Sequence, residues 1–178
     1  YDPFTKEKGF ERRVAEVAAM PLSQIHYHFG SKDALVLALL EQQNERLLAR
    51  QRATFAAELS LSKQWETACD YLDQDLASGY VSVLQEMIAA GWSNPKIAAA
   101  VRQCLAGWYA LLNQVAKEAT TRFGSLGSLK SDDLACLIGN AFLGSEALLL
   151  LGFEAEGMPI RRALRRFGAL IRSLEDSR

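Results

Sequence analysis

Apolar residues recur at spacings of three and four along most of this chain, the pattern of helices with one buried face. One such segment runs from about Ser62 to Ser78, and Gly79 is its expected stop signal. Another begins at Asn94 and Pro95, since asparagine is a good N-cap and proline a good first helical residue. No segment indicates a strand convincingly, so the sequence predicts an all-α protein.

Length and composition set wide limits on function. A chain of 178 residues forms one domain, or one domain with a small appendage, and 49% apolar residues are enough for a real core. The net charge of −1 excludes no class of partner, because a local patch matters more than the total. The three cysteines are odd in number and far apart, which favours reduced thiols. The start shows no secretory signal sequence, so we expect a cytoplasmic protein.

The most apolar run, Leu134 to Phe153, is long enough to cross a membrane. Asn140, Ser145 and Glu146 inside it favour a helix buried in protein instead, so we expect no membrane partner. Ser131 is the expected cap of this helix.

Both histidines of the chain lie in one stretch, QIHYHFG, from Gln24 to Gly30. Pro21 before it and Gly30 at its end predict a short helix, on which residues at i and i+2 point in different directions. His26 and His28 therefore do not share a face, and no metal site is expected. No nucleophile motif, phosphate-binding loop or further histidine accompanies them, so we expect neither an enzyme nor a cofactor.

A contact surface for something negatively charged is the third interpretation of this stretch. Ile25 and Phe29 are expected to point inward, and Ser31 can cap the next helix, where Lys32 and the N-terminal N–H groups favour an anion. The opposite surface of the short helix consists of Ser23, Gln24, Tyr27 and His28, with His26 at the border. Two interpretations stay open: a surface for phosphates and base edges, or an ordinary solvated helix.

The same region resembles the DNA-binding head of a known family. The segment VAEVAA, Val14 to Ala19, is followed by MPLSQIHYHFGSKDALVLALLE, Met20 to Glu41. Their spacing, apolar positions and HFGSK punctuation are similar to the helix-turn-helix of the tetracycline-repressor (TetR) family of bacterial transcription regulators. The matching residues are Val14, Val17, Ala18, Ile25, Tyr27, His28, Phe29, Ser31, Lys32 and Leu35.

The resemblance implies a ligand-responsive DNA-binding regulator, expected to be a repressor. Its helix-turn-helix head would occupy residues 1–44, and a helical bundle for ligand binding and dimerisation residues 45–178. Such proteins are homodimers whose recognition helices enter successive major grooves of a palindromic operator in double-stranded DNA. The implied DNA-binding residues are Leu22, Ser23, Gln24, His26, Tyr27, His28 and Lys32. Leu22, Ser23 and Gln24 would read bases, whereas the phosphates would be held by His26, Tyr27 and Lys32.

The head departs from the family pattern at its turn. The family has about three more residues between Ala19 and Met20, and a helix-turn-helix needs a turn of roughly three to four residues. By comparison with the family, one residue before Val14 and a first helix before Gly9 are also missing. We therefore expect an interruption of the chain between Ala19 and Met20. A genuinely short head would instead favour an all-helical dimeric ligand-binding protein without DNA binding.

The resemblance also implies a pocket inside the bundle for a small apolar or amphipathic effector. The ligand-binding candidates are Trp65, Cys69, Trp92, Cys104, Trp108 and Phe142. The alternative is that the aromatic residues among them are ordinary core residues. Asn140 and Glu146 are polar exceptions in their apolar helix, and they either contact a ligand or lie on the dimer seam.

The last two helices are the best candidates for that seam. The segment IGNAFLGSEA contains small residues that permit close helix packing, and it is apolar on more than one side. The final helix, opened by Pro159, separates an apolar face from its arginines, which face away or flank it. The expected interface residues are Leu134, Ile138, Phe142, Ser145, Leu148, Leu149, Leu164, Phe167 and Ile171.

Overall fold

The computed structural model describes residue 12 and residues 14–57, 59–124 and 128–177. Residues 14–17 form a short helical segment. The helices that follow are α1 (Leu22–Phe29), α2 (Lys32–Ala56), α3 (Leu61–Ser78), α4 (Tyr80–Gly91), α5 (Pro95–Phe123), α6 (Ser131–Leu150) and α7 (Ile160–Asp176). No β-strand occurs within these described ranges, and the predicted all-α class is confirmed.

Local signals at the helix ends explain several of these boundaries. At the start of α3 the Ser60 hydroxyl accepts a hydrogen bond from the Lys63 backbone N–H at 3.2 Å, and at its end Gly79 adopts a left-handed φ of 81°. At the start of α5 the Asn94 side chain accepts a hydrogen bond from the Lys96 N–H at 3.1 Å. The predicted stop at Gly79 and the predicted start at Asn94 are confirmed.

The predicted cap of α6 is wrong. Ser131 is the first residue of that helix, and Lys130 occupies the cap position. The Asp133 carboxylate accepts a hydrogen bond from the Lys130 backbone N–H at 2.9 Å. An acid in the first turn therefore satisfies the group at this helix start, and the Ser131 side chain is not needed for it.

The chain divides into two compact units, Tyr1–Gln43 and Asn44–Arg178. The first unit buries a small core of three residues, Ala15, Ile25 and Leu35. Val14, Met20 and Leu22 pack against that core. The cluster joins the 14–17 segment, α1 and the start of α2 within this unit.

The second unit is a helical bundle in which α5 lies against α4 and α6, and α3 lies against α7. One hydrophobic cluster of its core contains the buried residues Cys69, Leu72, Phe142 and Leu164. The Trp65 ring centroid lies 5.4 Å from that of Phe142 and 4.8 Å from that of Phe167. The Trp65 indole N–H also donates to the Leu164 carbonyl at 2.7 Å. Leu76 packs against the same cluster, so the inner face of α3 extends from Trp65 to Leu76.

Two glycines allow helices of the bundle to approach closely. A Cβ atom on Gly139 of α6 would overlap the ring of Tyr109 on α5. A Cβ atom on Gly168 of α7 would lie 2.8 Å from Cδ1 of Trp65 on α3. Both contacts are with aromatic rings, so a larger residue at either position would force a packed ring to move.

Ion pairs join α7 to α3. Arg161 Nε lies 2.6 Å from Asp73 Oδ1, and Arg165 Nη2 lies 3.0 Å from Asp73 Oδ2. Arg172 pairs with Glu66 in the same way. The arginines of α7 were expected to face away or flank the apolar face, and their pairing with acids of α3 was not predicted. Each pair is partly exposed and contributes little by itself, but together they fix how the two helices align.

Glu175, near the end of α7, accepts hydrogen bonds from groups at the N-terminus of α3. Its carboxylate accepts hydrogen bonds from the Leu61 backbone N–H at 2.7 Å and from the Ser62 hydroxyl at 2.5 Å. A negative group at a helix N-terminus also interacts favourably with the helix dipole. Part of the N-terminal cap of α3 is therefore supplied by α7.

One described helix, α6, is long and apolar enough to cross a membrane by length and composition alone. That test is weak evidence, because core helices of other proteins also pass it. Only 17% of the most apolar 18 residues of α6 are buried in the single chain. Much of this apolar helix is therefore left uncovered by the rest of the chain.

Candidate functional site

Helix α1 is held in place by a single deeply buried side chain. Ile25 is 2% exposed and lies in the small core of the first unit. The helix ends at Gly30, whose φ of 72° suits glycine and whose N–H donates to the His26 carbonyl at 2.9 Å. With Ile25 inside, the polar side chains of this short helix are directed outward.

Five of the predicted DNA-contacting residues are exposed: Ser23, Gln24, His26, Tyr27 and His28. Tyr27 is 85% exposed, and its ring meets that of His28 edge-on with centroids 5.4 Å apart. A hydroxyl, an amide, a phenol and two imidazoles thus face solvent on an eight-residue helix. Groups of these types can donate to phosphate oxygens and to base edges.

Three apolar positions of the head differ from expectation. Leu22 is half-buried and packs against the core, so its predicted contact with a base is not favoured. Phe29 is 37% exposed, and its predicted inward position is wrong. Val17, which matches an apolar position of the family, is 83% exposed. Val17 and Phe29 therefore add little to the core of this unit.

Lys32 is the first residue of α2 and is half-buried. The hydroxyl of Ser31 accepts a hydrogen bond from the Ala34 N–H at 3.2 Å, as predicted for a cap, and Asp33 lies in the first turn. A lysine at the N-terminus of a long helix adds its charge to the positive end of the helix dipole. Its position next to the end of α1 extends the polar surface of the head.

The junction between the 14–17 segment and α1 is short. The N–H of Ala18 donates to the Val14 carbonyl at 2.9 Å, and the N–H of Met20 donates to the Ala15 carbonyl at 3.0 Å. Ala19 has a φ of 50°, in the left-handed region that is uncommon for alanine. The expected interruption of the chain between Ala19 and Met20 stays a prediction. The predicted absence of a helix before Gly9 concerns residues outside the described part of the chain.

A separate cavity of about 80 Å³ lies inside the second unit, between α2, α3, α4, α5 and α6. Of the predicted ligand-binding residues, Trp108 and Phe142 line it. Trp65 and Cys69 lie in the neighbouring core, and Cys104 is buried on α5. Trp92 is 84% exposed, so its predicted place in a pocket is wrong. Sequence periodicity did not distinguish it from the buried tryptophans, because it stands at a helix end.

The polar cavity residues that sequence reasoning missed are Asn44, Gln51, Tyr71, Asp75 and Tyr80. The signal for Asp75 was available, since it lies between the apolar positions Leu72 and Leu76 on the inner side of α3. Arg50 forms an ion pair with Asp75 at 2.8 Å and lies 3.9 Å from the centroid of the Tyr71 ring. One cation therefore already lies against an acid and an aromatic ring that line the cavity.

Glu146 is the second acid of the cavity wall, and burial raises its pKa to about 7. The side-chain amide of Gln85 donates to its Oε2 at 3.1 Å, which opposes that rise, and Asp75 adds to it. Among the described residues no arginine, lysine or histidine forms an ion pair with Glu146. Burial likewise raises the pKa of Asp75, although Arg50 opposes the change.

The thiol of Cys69 lies in the core of the bundle and is held in its neutral form. Burial raises the pKa of Cys69 to about 11, which keeps it as a thiol at neutral pH. Within the described ranges, no group of three or more His, Cys, Asp or Glu side chains lies close enough together to hold a metal ion.

An open apolar groove of about 560 Å³ runs between α6 and α7. Six predicted dimer residues line it: Leu134, Ile138, Ser145, Leu148, Leu164 and Phe167. Phe142 and Leu164 are buried in the core of the single chain, so they offer a second copy almost no surface. Leu149 packs against the same core, and Ile171 is half-buried outside the groove.

Apolar and small side chains continue the groove as two exposed stripes. On α6 the stripe contains Leu137, Ala141 and Gly144, with the half-buried Leu148 one turn further. On α7 it contains Ala163, Phe167, Leu170 and Leu174. Spacings of three and four place each set on one side of its helix. The two helices thus present a continuous apolar face within the second unit.

No protein-family model matches this chain, and no curated protein matches it. The resemblance of the head to the tetracycline-repressor family is carried by the residues of the head alone.

Proposed function

We propose that this protein is a dimeric, ligand-responsive DNA-binding regulator of transcription, and that it acts as a repressor released from its operator by a small effector. The observation that carries the proposal is the polar surface of α1. A short helix with one buried anchor, Ile25, exposes the side chains of Ser23, Gln24 and Tyr27 beside the N-terminus of α2.

The chemistry of this surface suits double-stranded DNA. The Gln24 amide can make paired hydrogen bonds to an adenine edge in the major groove, and Ser23 can contact several bases. His26, Tyr27 and Lys32 supply donors for phosphate oxygens, which position the helix without reading sequence. The helix is short enough for all of these groups to face one groove.

A dimer fits the proposal because an operator with two half-sites needs two recognition helices. The uncovered apolar face of α6 and α7 supports a seam between two copies in the second unit. Four helices, two from each copy, would then close over the groove.

A second candidate is an all-helical dimeric ligand-binding protein without DNA binding. The junction at residues 18–20 favours it, because Ala19 has a φ of 50° and Val17 is exposed where the family pattern has an apolar residue. A head with a strained turn and a small core would hold α1 less firmly for insertion into a groove.

Binding to DNA duplexes separates the two candidates. Full-length protein is titrated with its own upstream DNA and with random duplexes in a gel-shift assay at several salt concentrations. Gln24→Ala should lose roughly 1–3 kcal/mol of affinity on the cognate site with little change on random DNA. Lys32→Ala should weaken both duplexes by similar factors and reduce the salt slope by about one.

Lys96→Ala provides the matched control, since Lys96 also lies in the first turn of a long helix but in the second unit. It should leave both affinities unchanged. Absence of specific binding by the parent protein would contradict the proposal and favour the second candidate.

A further inference from the structure

We propose that the cavity of the second unit binds a small primary alkylammonium ion, with the Glu146 carboxylate as its counter-ion and the Gln51 side-chain carbonyl as a second acceptor. The inference deepens the proposed function by naming the chemical class of the effector, and it rests on that function only for the effect on DNA. The cavity, its charge, its unsatisfied acceptor and its walls each support it.

The charge of the cavity is incompletely balanced. Its two acids are Asp75 and Glu146, and Arg50 pairs with Asp75 at 2.8 Å. Within the described residues Glu146 has a hydrogen bond from Gln85 but no ion pair with a cationic side chain. An ionised carboxylate in such surroundings is stabilised most by a cation that arrives with the ligand.

Gln51 supplies an independent observation. Its Oε1 atom is buried and has no hydrogen-bond partner, and the residue lines the same cavity from α2. A buried acceptor without a donor costs about 1–3 kcal/mol. An ammonium group carries three N–H donors, so it can satisfy Gln51 and Glu146 together, whereas an anion or a pure acceptor would satisfy neither.

The side chains that line the cavity, and its volume, favour a short alkyl group on the ammonium ion. Aromatic rings of Tyr71, Tyr80 and Trp108 face the cavity, and such rings attract cations as well as alkyl groups. The volume of about 80 Å³ has room for roughly three water molecules, which excludes a bulky ligand and admits a short alkyl chain.

The pH dependence of binding follows from the groups around Glu146. Asp75 and Tyr71 face the cavity from α3 and Tyr80 from α4, Arg50 of α2 pairs with Asp75, and α5 contributes only Leu105, Trp108 and Leu112. Burial raises the pKa of Glu146 to about 7 and raises that of Tyr80 as well, so Tyr80 stays neutral. An alkylammonium ion remains charged below a pH of about 10. Its affinity should therefore increase as the pH rises through about 7 and Glu146 ionises.

The test is isothermal titration calorimetry on the full chain without DNA. The three probes are propylammonium, 1-propanol and propionate, which share a chain length and differ in charge. At pH 8 propylammonium should bind at least about tenfold more tightly than propanol, and propionate should not bind. Glu146→Gln should lower the affinity for propylammonium about tenfold or more and leave that for propanol unchanged.

Glu118→Gln is the matched control, because Glu118 is a partly exposed acid on α5 that pairs with Arg122 outside the cavity. It should bind all three probes like the parent. Equal affinities of propylammonium and propanol, an unchanged affinity in Glu146→Gln, or no binding of propylammonium at millimolar concentration would each overturn the inference. Because this assay contains no DNA, its result is independent of the proposed function. A protein that binds propylammonium but no operator supports this inference and contradicts the proposed function. A protein that binds an operator but no propylammonium supports the proposed function and contradicts this inference.

Discussion

The charge state of Glu146 affects the stability of the folded bundle. It lies on α6 among apolar and aromatic neighbours, and no cationic side chain within the described ranges pairs with it. Burial therefore favours its neutral form, whereas an unfolded chain exposes the same carboxyl to water. The folded state thus holds a proton that the unfolded state has already released between a pH of about 4.5 and about 7.

Stability should accordingly fall with rising pH on account of this residue. Below pH 4.5 both states are protonated and Glu146 has no effect; the loss grows as the pH rises and is complete above about 7. The full loss in the free energy of unfolding is about 3 kcal/mol. The variant Glu146→Gln has no carboxyl at this position and therefore does not lose this stability. Urea unfolding at pH 8 should show it to be more stable than the parent, with little difference at pH 4.5. An equal difference at the two pH values would contradict this assignment.

Close helix contacts depend on individual glycines. Gly139 lies against the Tyr109 ring, which is also held by a hydrogen bond from its hydroxyl to Asn140 Oδ1 at 2.8 Å. Gly107 of α5 faces only the flexible end of Leu48, 2.9 Å from the position of an added Cβ. The two positions therefore differ in whether the neighbour can move.

Gly139→Ala should lower the free energy of unfolding by about 1–3 kcal/mol, because the ring of Tyr109 must shift. Gly107→Ala is the control, and its change should be smaller, since Leu48 can adopt another rotamer and alanine gains up to about 1 kcal/mol in helix propensity. Urea denaturation midpoints of the two variants measure the difference. A greater loss in Gly107→Ala would mean that ring contact does not limit the packing of α5 on α6.

The helices themselves could be predicted from the sequence because their signals are local. Gly79, Asn94 and Ser31 act on backbone groups within four residues, so a short window contains the information. Which apolar face meets which partner is not local. Trp92 and Phe142 both resembled pocket residues, yet one is exposed and the other is in the core.

The candidate sites were predicted to different degrees for the same reason. The exposed polar face of α1 follows from the period of one helix, and it is present as expected. The cavity brings together Gln51, Asp75 and Glu146 from three helices, and no pattern within one helix places them near each other. Because α6 is apolar on several sides, the sequence could not show which of its residues are buried in the core of the chain and which remain exposed.

At the scale of the whole molecule, the uncovered apolar face of α6 and α7 supports the proposed dimer. The exposed stripes lie on two neighbouring helices beside a groove of about 560 Å³. A contiguous apolar face of this kind is unusual on a monomer in water. A second copy that covers it would bury the same residues on both sides.

Charged substitutions in the stripes should therefore give monomers. Leu137 and Leu170 are 57% and 52% exposed in the single chain, so Leu137→Asp and Leu170→Asp should fold but should not associate, because pairing would bury an unpaired charge. Light scattering measures the mass, and circular dichroism checks the fold. Trp92→Asp is the control, since Trp92 is exposed away from these stripes. A monomeric parent, or dimers in both stripe variants, would contradict the seam.

The contacts between α3 and α7 also have a consequence for synthesis on the ribosome. Leu61 and Glu175 are separated by 114 positions, and Trp65 reaches a carbonyl 99 positions away. The ribosome adds about 5–20 residues per second, so α7 is synthesised roughly 6–20 s after α3. Until then, the helix that covers the apolar face of α3 and supplies part of its cap is missing. Helices form within microseconds, so the nascent bundle spends that interval with Trp65 and Cys69 still without their final neighbours from α7.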